Sequence, residues 1–423
     1  MSARSLSPSR WQQWQARLAP WRRLDWWLLG AVVLLTAWGG LTIRSVQGQG
    51  AYDWVQHWVT GAVGLAIALL LARSPYWLLQ RVHWGGYALI NLLLLAVMVA
   101  GTTVQGAQRW VAVGGLQFQP AEIAKLGIIV TLAALLHQRP ARTLPAFLQA
   151  LGVVAIPWGL VVLQPDLGTA LVFGAIALGM LYWSGARPAW LALLVSPLAA
   201  ALLFNLYLPG WFAWAALTVL LAWRSLPARA WAASATLALN YAAGELGRWL
   251  WELLEPYQQQ RLLLFLHPER DPTGGGYQLI QSRIAIGAGK LWGQGLNDGT
   301  QTQLDFIPEQ HTDFIFAAVG EELGFAGGLA LLLVYWLIAL RLVAIACRAP
   351  DRFGALLAVG FLTLVFFQVT VNIGMTVGLS PITGLPLPWM SYGSSALLVN
   401  FMALGLVESV AYHRQPRARW GRR

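Results

Sequence analysis

The sequence predicts an all-α fold, a bundle of about twelve membrane-spanning helices with both termini in the cytoplasm. Hydrophobic residues fill 57% of its 423 positions and charged residues only 11%, and the mean hydropathy is +0.57. A soluble domain contains roughly 45–50% apolar and about 25% charged residues, so this composition indicates an integral membrane protein. It excludes a disordered chain, a collagen and a disulfide-stapled secreted domain. The single cysteine, Cys347, excludes an internal disulfide and a thiolate zinc site.

Twelve apolar stretches follow one another along the chain and are candidate membrane spans. A bilayer-crossing helix needs about 20 mostly apolar residues. The stretches cover 26–43, 57–73, 84–101, 121–137, 145–163, 168–184, 188–207, 211–223, 230–250, 314–340, 353–377 and 392–412. We therefore predict that residues 1–423 form a single membrane domain. Segments 1–25 and 413–423 are its leader and its tail.

Basic residues determine the predicted orientation of these spans. An even number of spans places the leader and the tail on one side, and both are rich in arginine, as are the loops on that side. Cytoplasmic loops of membrane proteins carry the excess of Lys and Arg. Both termini are therefore predicted to be cytoplasmic, in a multi-pass protein of the cell membrane. The net charge of +11 then reflects topology and not a nucleic-acid partner.

Acidic residues concentrate on the opposite side of the membrane. Eleven of the 17 lie between Glu245 and Glu322, in and around a long loop at 252–313 that the orientation places outside. A loop of this length is more often functional than a passive connector. A solvated acidic loop without a chemical role is the alternative. We predict that 252–313 carries the catalytic site.

Asp271 occupies a bend in this loop. It belongs to the sequence HPERDP at 267–272, and TGGGY follows at 273–277. Two prolines and three glycines around one carboxylate predict a rigid turn beside a flexible one. Asp271 is therefore predicted to sit at the corner between these two turns.

Residues 277–287 have the pattern of a short amphipathic helix lying on the membrane surface. Its predicted apolar face consists of Tyr277, Ile280 and Ile284. The polar residues predicted to point away from this face include Gln281, Ser282 and Arg283. Lys290 follows among glycines, but Leu291 stands where a nucleotide-binding loop needs Ser or Thr. An ATPase is therefore excluded.

Four of the ionisable residues within predicted spans are candidates for a functional site. Glu122 and Lys125 are three positions apart and share a helix face, whereas Glu321 and Glu322 lie about eight residues, on the order of 12 Å, into their span. Ionisable groups at such positions are costly unless they are paired. For Glu122 and Lys125 two explanations stay open, a functional site and a structural ion-pair network that holds spans together.

Two further charged residues mark the external loops. Asp166 begins a predicted helix, where the helix dipole favours an anion. The same ion-pair network is the alternative role for Asp166. Arg109 is an external cation, and a guanidinium is suited to binding phosphate.

These segments resemble the SEDS family of bacterial cell-wall proteins, named for shape, elongation, division and sporulation. The matching segments are GAQRW (106–110), QPAEIAK (119–125), QPDLGTA (164–170), PERDPTGGGYQLIQS (268–282), GTQTQLDFIPEQHTDFIFAAVGEELG (299–324) and PLPWMSYGSS (386–395). They occur in order along both halves of the chain. The run GTQTQLDF before IPEQHTDF is similar to the elongation branch of the family and not to its division branch.

The resemblance implies a peptidoglycan glycosyltransferase of the bacterial inner membrane. Such an enzyme polymerises lipid II, a lipid-linked disaccharide-pentapeptide, into glycan strands and releases undecaprenyl pyrophosphate. The spans would hold the polyprenyl tails among the membrane lipids. The resemblance also implies two kinds of partner, a class B penicillin-binding protein and other membrane proteins of the elongation complex. The chain has no SxxK motif of a transpeptidase among its external serines.

The resemblance also distributes roles over the candidate residues. Asp271 becomes the general base that takes the proton of the acceptor hydroxyl. Glu122 would orient Lys125, and cations would stabilise the charge of the leaving pyrophosphate. The predicted substrate-binding residues are Arg109, Glu122, Lys125, Asp166, Arg261, Gln281, Ser282, Arg283, Lys290 and His311. Glu321 and Glu322 are assigned a structural or coupling role.

No metal ligands are assigned. A divalent cation, Mg²⁺ or Mn²⁺, could assist the pyrophosphate, but no carboxylate pair has a diagnostic metal spacing. Two features depart from the family pattern. The family usually has ten spans, so 188–223 is predicted to be an inserted transmembrane hairpin. The position before Pro268, often acidic in relatives, is His267 here, which weakens a mechanism with two carboxylates.

Two other functions fit the sequence. In a flippase for lipid II, the ionisable residues in the spans would line a pathway, and no external base would be needed. In a non-catalytic scaffold of the elongation complex, the spans would only bind partners. Both alternatives predict that Asp271→Asn has no effect on activity.

Overall fold

Twelve long helices make up most of the part of the chain that the structure describes. This computed structural model describes residues 23–47, 52–104, 107–113, 116–253, 276–304 and 306–414. The long helices are α1 (Trp26–Val46), α2 (Asp53–Arg73), α3 (Leu79–Ala100), α4 (Pro120–Gln138), α5 (Leu144–Leu163), α6 (Leu167–Trp183), α7 (Pro188–Leu206), α8 (Leu208–Ser225), α9 (Arg229–Leu253), α12 (Ile315–Arg348), α13 (Arg352–Val377) and α14 (Ser394–Tyr412). Between them lie a 3-10 turn (Tyr76–Leu78), α10 (Tyr277–Ala288) and α11 (Thr300–Gln303). Each predicted apolar stretch falls on one long helix, and the predicted helical bundle is confirmed.

Nine of the helices in the described ranges are long and apolar enough to cross a membrane. They are α1, α2, α3 with its preceding turn, α4, α5, α7, α12, α13 and α14. Helix α6 is apolar but has only 17 residues. Helix α9 carries Glu245 and Arg248, which lower its hydropathy. The chain is therefore a multi-pass membrane protein, while the number of twelve spans stays a prediction.

Helix α13 lies at the centre of the bundle. It packs against α4, α6, α12 and α14, and its side chains Leu356, Phe361 and Leu364 are buried. Helices α2 and α14 approach closely because Gly405 faces the backbone of Ala68, where an added Cβ would lie only 2.7 Å from the Ala68 Cα. Small residues permit such approaches in membranes, where helices associate through van der Waals packing.

Helices α7, α8 and α9 form a group that packs mainly among its own members. The predicted hairpin 188–223 corresponds to α7 and α8, joined at Tyr207. Inside the group, the buried Asn240 amide donates a hydrogen bond to the Thr218 hydroxyl at 2.8 Å. The structure thus contains two helices at the predicted hairpin, and its origin as an insertion stays a prediction.

A short antiparallel sheet, which the sequence analysis did not predict, follows α3. Its strands β1 (Thr102–Val104), β2 (Ala107–Val113) and β3 (Leu116–Phe118) lie in the order β1-β2-β3. Thr102 pairs with Trp110, and Val111 pairs with Phe118. Strands β1 and β3 have only three residues, fewer than an alternating pattern needs, and the sequence AQRWVAV of β2 does not alternate strictly between apolar and polar residues. The sheet places Arg109 beside the end of the bundle where α1, α3, α5 and α13 finish and α2, α4, α6 and α14 begin. We call this the external end, because the predicted orientation places it outside.

Helix α12 is broken near its external end. Its 34 residues would span about 51 Å if straight, more than the bilayer core of about 30 Å. Gly324 has φ 65° and ψ −163°, outside the helical region. The amides of Phe325 and Ala326 donate instead to the carbonyls of Lys290 and Leu291, at 2.9 and 3.0 Å. The break separates residues 315–323 from the rest of α12.

Candidate functional site

A buried ion pair stands in the first two turns of α4. Pro120 occupies the first turn, where its missing N–H has no cost. The Lys125 side chain is fully buried, and its Nζ lies 2.6 Å from the Glu122 Oε1. Glu122 is itself only 5% exposed. A buried charge requires such a partner. The pair confirms the predicted shared face and fixes an ammonium group within about 8 Å of the helix start.

Asp166 caps α6 and joins it to α4. Its carboxylate accepts hydrogen bonds from the Thr169 amide at 3.1 Å, the Thr169 hydroxyl at 3.0 Å and the Gln119 side-chain amide at 3.0 Å. The Gln119 backbone N–H donates to the Ser395 hydroxyl at the start of α14, at 3.3 Å. Three helix starts therefore meet beside the Lys125 pair. The contacts of Asp166 support a structural role, and its contact with substrate stays a prediction.

Arg109 holds the turn between α5 and α6. Its Nε donates to the Gln164 carbonyl at 3.0 Å and its Nη2 to the Pro165 carbonyl at 2.5 Å. These contacts use two of the five N–H donors of a guanidinium. The half-buried side chain thus lies at the turn that leads into the Asp166 cap, with donors left for an anion.

A second polar group at the external end surrounds Asp53. The Asp53 Oδ2 accepts a hydrogen bond from the Gln47 amide at 2.6 Å, and the His311 Nε2 lies 4.0 Å from the same oxygen. The Tyr392 amide donates to the His311 carbonyl at 2.9 Å, and its hydroxyl donates to the Gln56 Oε1 at 2.8 Å. Burial, reinforced by the charge of Asp53, raises the pKa of Tyr392 to about 12, so this hydroxyl remains a donor.

Ser282 and Arg283 bind the carboxyl end of α13. The Ser282 hydroxyl donates to the Thr376 carbonyl at 2.8 Å, and Arg283 donates to the carbonyls of Val377 and Gly378 at 3.3 and 3.1 Å. Terminal helix carbonyls need such donors and favour a cation. These contacts support a structural role for both residues, and their contact with substrate stays a prediction.

The predicted orientation of α10 is wrong. Ser282 is fully buried, together with Leu279 and Ala285, whereas Ile284 of the predicted apolar face is 47% exposed. The reason is that α10 packs against α12 and α13, so its buried face is set by protein and not by lipid. Gln281 lies half-buried on this helix.

The adjacent carboxylates Glu321 and Glu322 hold different segments. Glu321 accepts hydrogen bonds from the amides of Gln301 and Thr302, at 2.8 and 3.0 Å, at α11. Glu322 accepts a hydrogen bond from the Ser45 hydroxyl at the end of α1. Both glutamates are buried, and their contacts agree with the structural role predicted for them.

Lys290 lies apart from these contacts, in the turn that follows α10. It is exposed and has φ 48°, in the left-handed region, and its carbonyl accepts from α12 beyond the break. Asp271 and Arg261 lie outside the described residues. Among the residues described, no group of three or more His, Cys, Asp or Glu side chains could hold a metal ion. The predicted base and the possible divalent cation therefore stay predictions.

Sequence analysis missed the linking residue Asn372. This fully buried residue of α13 donates from its Nδ2 to the carbonyls of Asp313 and Leu385, both at 2.8 Å. Its only signal in the sequence is a polar side chain within the apolar stretch 353–377.

Comparisons with known proteins agree with this architecture. A family model described as "Cell cycle protein", covering FtsW, RodA and SpoVE, matches residues 17–416. The peptidoglycan glycosyltransferase MrdB of Escherichia coli K12 is 36% identical over 401 residues, covering 93% of this chain and 94% of the relative. The peptidoglycan glycosyltransferase RodA of Treponema pallidum is 33% identical over 423 residues, with 91% and 97% covered.

Two solved structures are similar over nearly the whole fold. One comes from a study entitled "Structural coordination of polymerization and crosslinking by a peptidoglycan synthase complex" and matches with a TM-score of 0.69 and 33% identity, covering 92% of this chain and 98% of the other. The other, the rod shape determining protein RodA of Thermus thermophilus, matches with a TM-score of 0.62 and 27% identity, covering 93% and 98%. The chain therefore belongs to the SEDS family, together with FtsW, RodA and SpoVE.

Proposed function

We propose that this chain is a peptidoglycan glycosyltransferase that polymerises lipid II into glycan strands during cell elongation. Two relatives that it matches over more than nine-tenths of its length are named peptidoglycan glycosyltransferases. A membrane-embedded polymerase suits a substrate whose polyprenyl tail stays in the bilayer. The cell membrane of a bacterium is the proposed location.

The observation that carries this proposal is the buried Lys125–Glu122 pair at the external end. The pair lies where the starts of α4, α6 and α14 meet, and Arg109 holds the neighbouring turn. A leaving pyrophosphate gains negative charge as its bond to the sugar breaks. Cations that the fold has already positioned stabilise that charge without reorganisation. Lys125 has three N–H donors, and one contact to Glu122 leaves two for phosphate oxygens.

The reaction joins an acceptor hydroxyl to the anomeric carbon of the donor. The hydroxyl oxygen forms the new glycosidic bond, the bond from the anomeric carbon to the pyrophosphate oxygen breaks, and its electron pair leaves with undecaprenyl pyrophosphate. The hydroxyl proton must pass to a base. A carboxylate within hydrogen-bond reach can accept it, and we assign this role to Asp271 on its sequence context alone.

We also propose a class B penicillin-binding protein as partner. A chain of similar fold comes from a peptidoglycan synthase complex in which polymerisation and crosslinking are coordinated. The partner would supply the crosslinking, and other membrane proteins of the elongation complex would bind the same assembly.

Polymerisation of purified lipid II tests the proposal. The full chain, reconstituted with its transpeptidase partner, is compared with Asp271→Asn and with Glu269→Gln, a matched change to another carboxylate of the same loop. We expect glycan strands from the native chain and from Glu269→Gln, and at least a hundredfold loss in Asp271→Asn. Parallel reactions with EDTA, Mg²⁺ or Mn²⁺ test the divalent cation.

Each contrary outcome has a distinct meaning. Equal strand formation by the native chain and Asp271→Asn removes Asp271 from the mechanism. If the native chain makes no strands but moves lipid II across vesicle membranes, the protein is a flippase. If it does neither and still binds its partner, it is a scaffold.

A further inference from the structure

Asn372 links two external segments that are far apart in sequence. Its amide nitrogen donates to the carbonyl of Asp313, at the approach to α12, and to that of Leu385, in the segment before α14, both at 2.8 Å. The side chain is fully buried, and an amide nitrogen has two hydrogens. Both are used in these contacts.

The two segments meet at Asp313 and Gly384. A Cβ added to Gly384 would lie 3.5 Å from the Asp313 Oδ2, which is ordinary van der Waals contact. Gly384 has φ 72°, in the region where only glycine fits easily. The carboxylate of the half-buried Asp313 therefore rests against the backbone beside the second contact of Asn372.

The same segment also reaches the Asp166 cap. A Cβ added to Gly168, in the first turn of α6, would lie 2.6 Å from the Thr383 carbonyl. The backbone at 383–385 thus packs against the first turn of α6, which Asp166 caps, and its Leu385 carbonyl accepts the hydrogen bond from Asn372. A shift of Leu385 would be transmitted to Asp313 on one side and to the start of α6 on the other.

We propose that Asn372 is a positioning residue that sets the place of the Asp313 carboxylate at the external end for the polymerisation reaction. The inference rests on the proposed function. Both N–H groups of the Asn372 amide are bound to carbonyls, so Asn372 acts through these two contacts and not on the substrate itself. A displacement of about 1 Å in a site can lower a rate by a factor of about 100.

The same helix offers a matched control. Gln368 lies one turn before Asn372, so it occupies the same side of α13, and it is 1% exposed. Asn372→Leu and Gln368→Leu each replace a buried amide by an apolar side chain of similar size. Only the former removes the links to Asp313 and Leu385.

The test measures kcat and KM for lipid II polymerisation by the full chain with its partner. We expect kcat to fall at least tenfold in Asn372→Leu and by less than twofold in Gln368→Leu, with KM changing by less than threefold in both. Asn372→Ser, which keeps one O–H donor, should recover part of the loss. If Asn372→Leu does not fold, Asn372→Ser against Gln368→Leu gives the same comparison.

A double-mutant cycle with Asp313→Asn tests the positioning role directly. If Asn372 acts by placing the Asp313 carboxylate, Asn372→Leu should have little further effect once that carboxylate is neutralised. Equal losses in Asn372→Leu and Gln368→Leu, or losses that multiply in the double variant, overturn the inference. A native chain that forms no strands overturns the proposed function, a result that the cycle cannot mimic.

Discussion

Removing the carboxylate of Glu122 isolates the most deeply buried cation of the site. In Glu122→Gln, the Lys125 ammonium keeps its fully buried position but loses the negative charge of the carboxylate that lies 2.6 Å away. Breaking a buried ion pair by removing one partner typically costs about 3–5 kcal/mol, because the other charge is left uncompensated. We expect the free energy of unfolding to fall by that amount.

Replacing both residues separates structure from chemistry. In Glu122→Gln with Lys125→Met, no charge is left unpaired, and replacing both members of a buried pair by residues of similar volume is often nearly neutral for stability. We expect the double variant to recover at least about 2 kcal/mol of the loss, from the same comparison. It should not recover polymerisation, because Lys125 is the proposed ligand of the pyrophosphate.

The assay is an SDS titration of each variant in mixed micelles, followed by tryptophan fluorescence, with lipid II polymerisation measured on the same preparations. A single variant whose unfolding free energy changes by less than about 1 kcal/mol contradicts the role of the ion pair, given the usual cost of breaking one. A double variant that polymerises at the native rate shows that the pair is a structural network, which sequence analysis left open.

Two further changes test contacts at the external end. Ser45→Ala removes the hydrogen bond to the buried Glu322. In the SDS titration it should lower the unfolding free energy by about 1–3 kcal/mol. Ser74→Ala, at an exposed hydroxyl, is the control and should have little effect. Arg109→Lys keeps the positive charge but loses the forked guanidinium that binds the carbonyls of Gln164 and Pro165. We therefore expect kcat/KM for lipid II to fall by about tenfold, or 1.4 kcal/mol. An unchanged kcat/KM would mean that the charge alone matters.

Much of the fold could be predicted from apolar length alone. Each of the twelve stretches became a helix, because a chain in lipid must satisfy its backbone hydrogen bonds within the segment. The break at Gly324 could not be predicted, since this residue is one of 43 glycines. Its conformation depends on the carbonyls of Lys290 and Leu291, which are remote in sequence.

In the site, too, contacts between residues close in sequence could be predicted and contacts between remote segments could not. Glu122 and Lys125 are three residues apart, so helix geometry alone brings them together. The contacts of Asn372 with Asp313 and Leu385 join three segments whose proximity is a property of the folded bundle. The face of α10 was mispredicted for a related reason, because the pattern of one helix does not reveal that α13 offers its terminal carbonyls nearby.

Helix α1 explains how the broken α12 keeps one geometry. At the end of α1 remote from the external end, the Asp25 carboxylate binds Arg341, with Nη2 at 2.6 Å and Nε at 3.0 and 3.1 Å. At its external end, Ser45 binds Glu322. These two contacts lie on opposite sides of the break at Gly324. The continuous helix α1 therefore holds the two parts of α12 in a fixed relation to each other.

Because α1 connects the two parts of α12, the Ser45 contact should affect the position of the outer part as well as the stability. Residues 315–323 of α12 carry both glutamates, and Glu321 holds the amides of α11. Without the contact at Ser45, this outer segment would lose its hydrogen-bonded tie to α1 on the far side of the break. Ser45→Ala should therefore lower the polymerisation rate by a larger factor than Arg341→Lys, which keeps a cation for Asp25 at the other end. The opposite order would show that the contact between Asp25 and Arg341 sets the geometry of the external end.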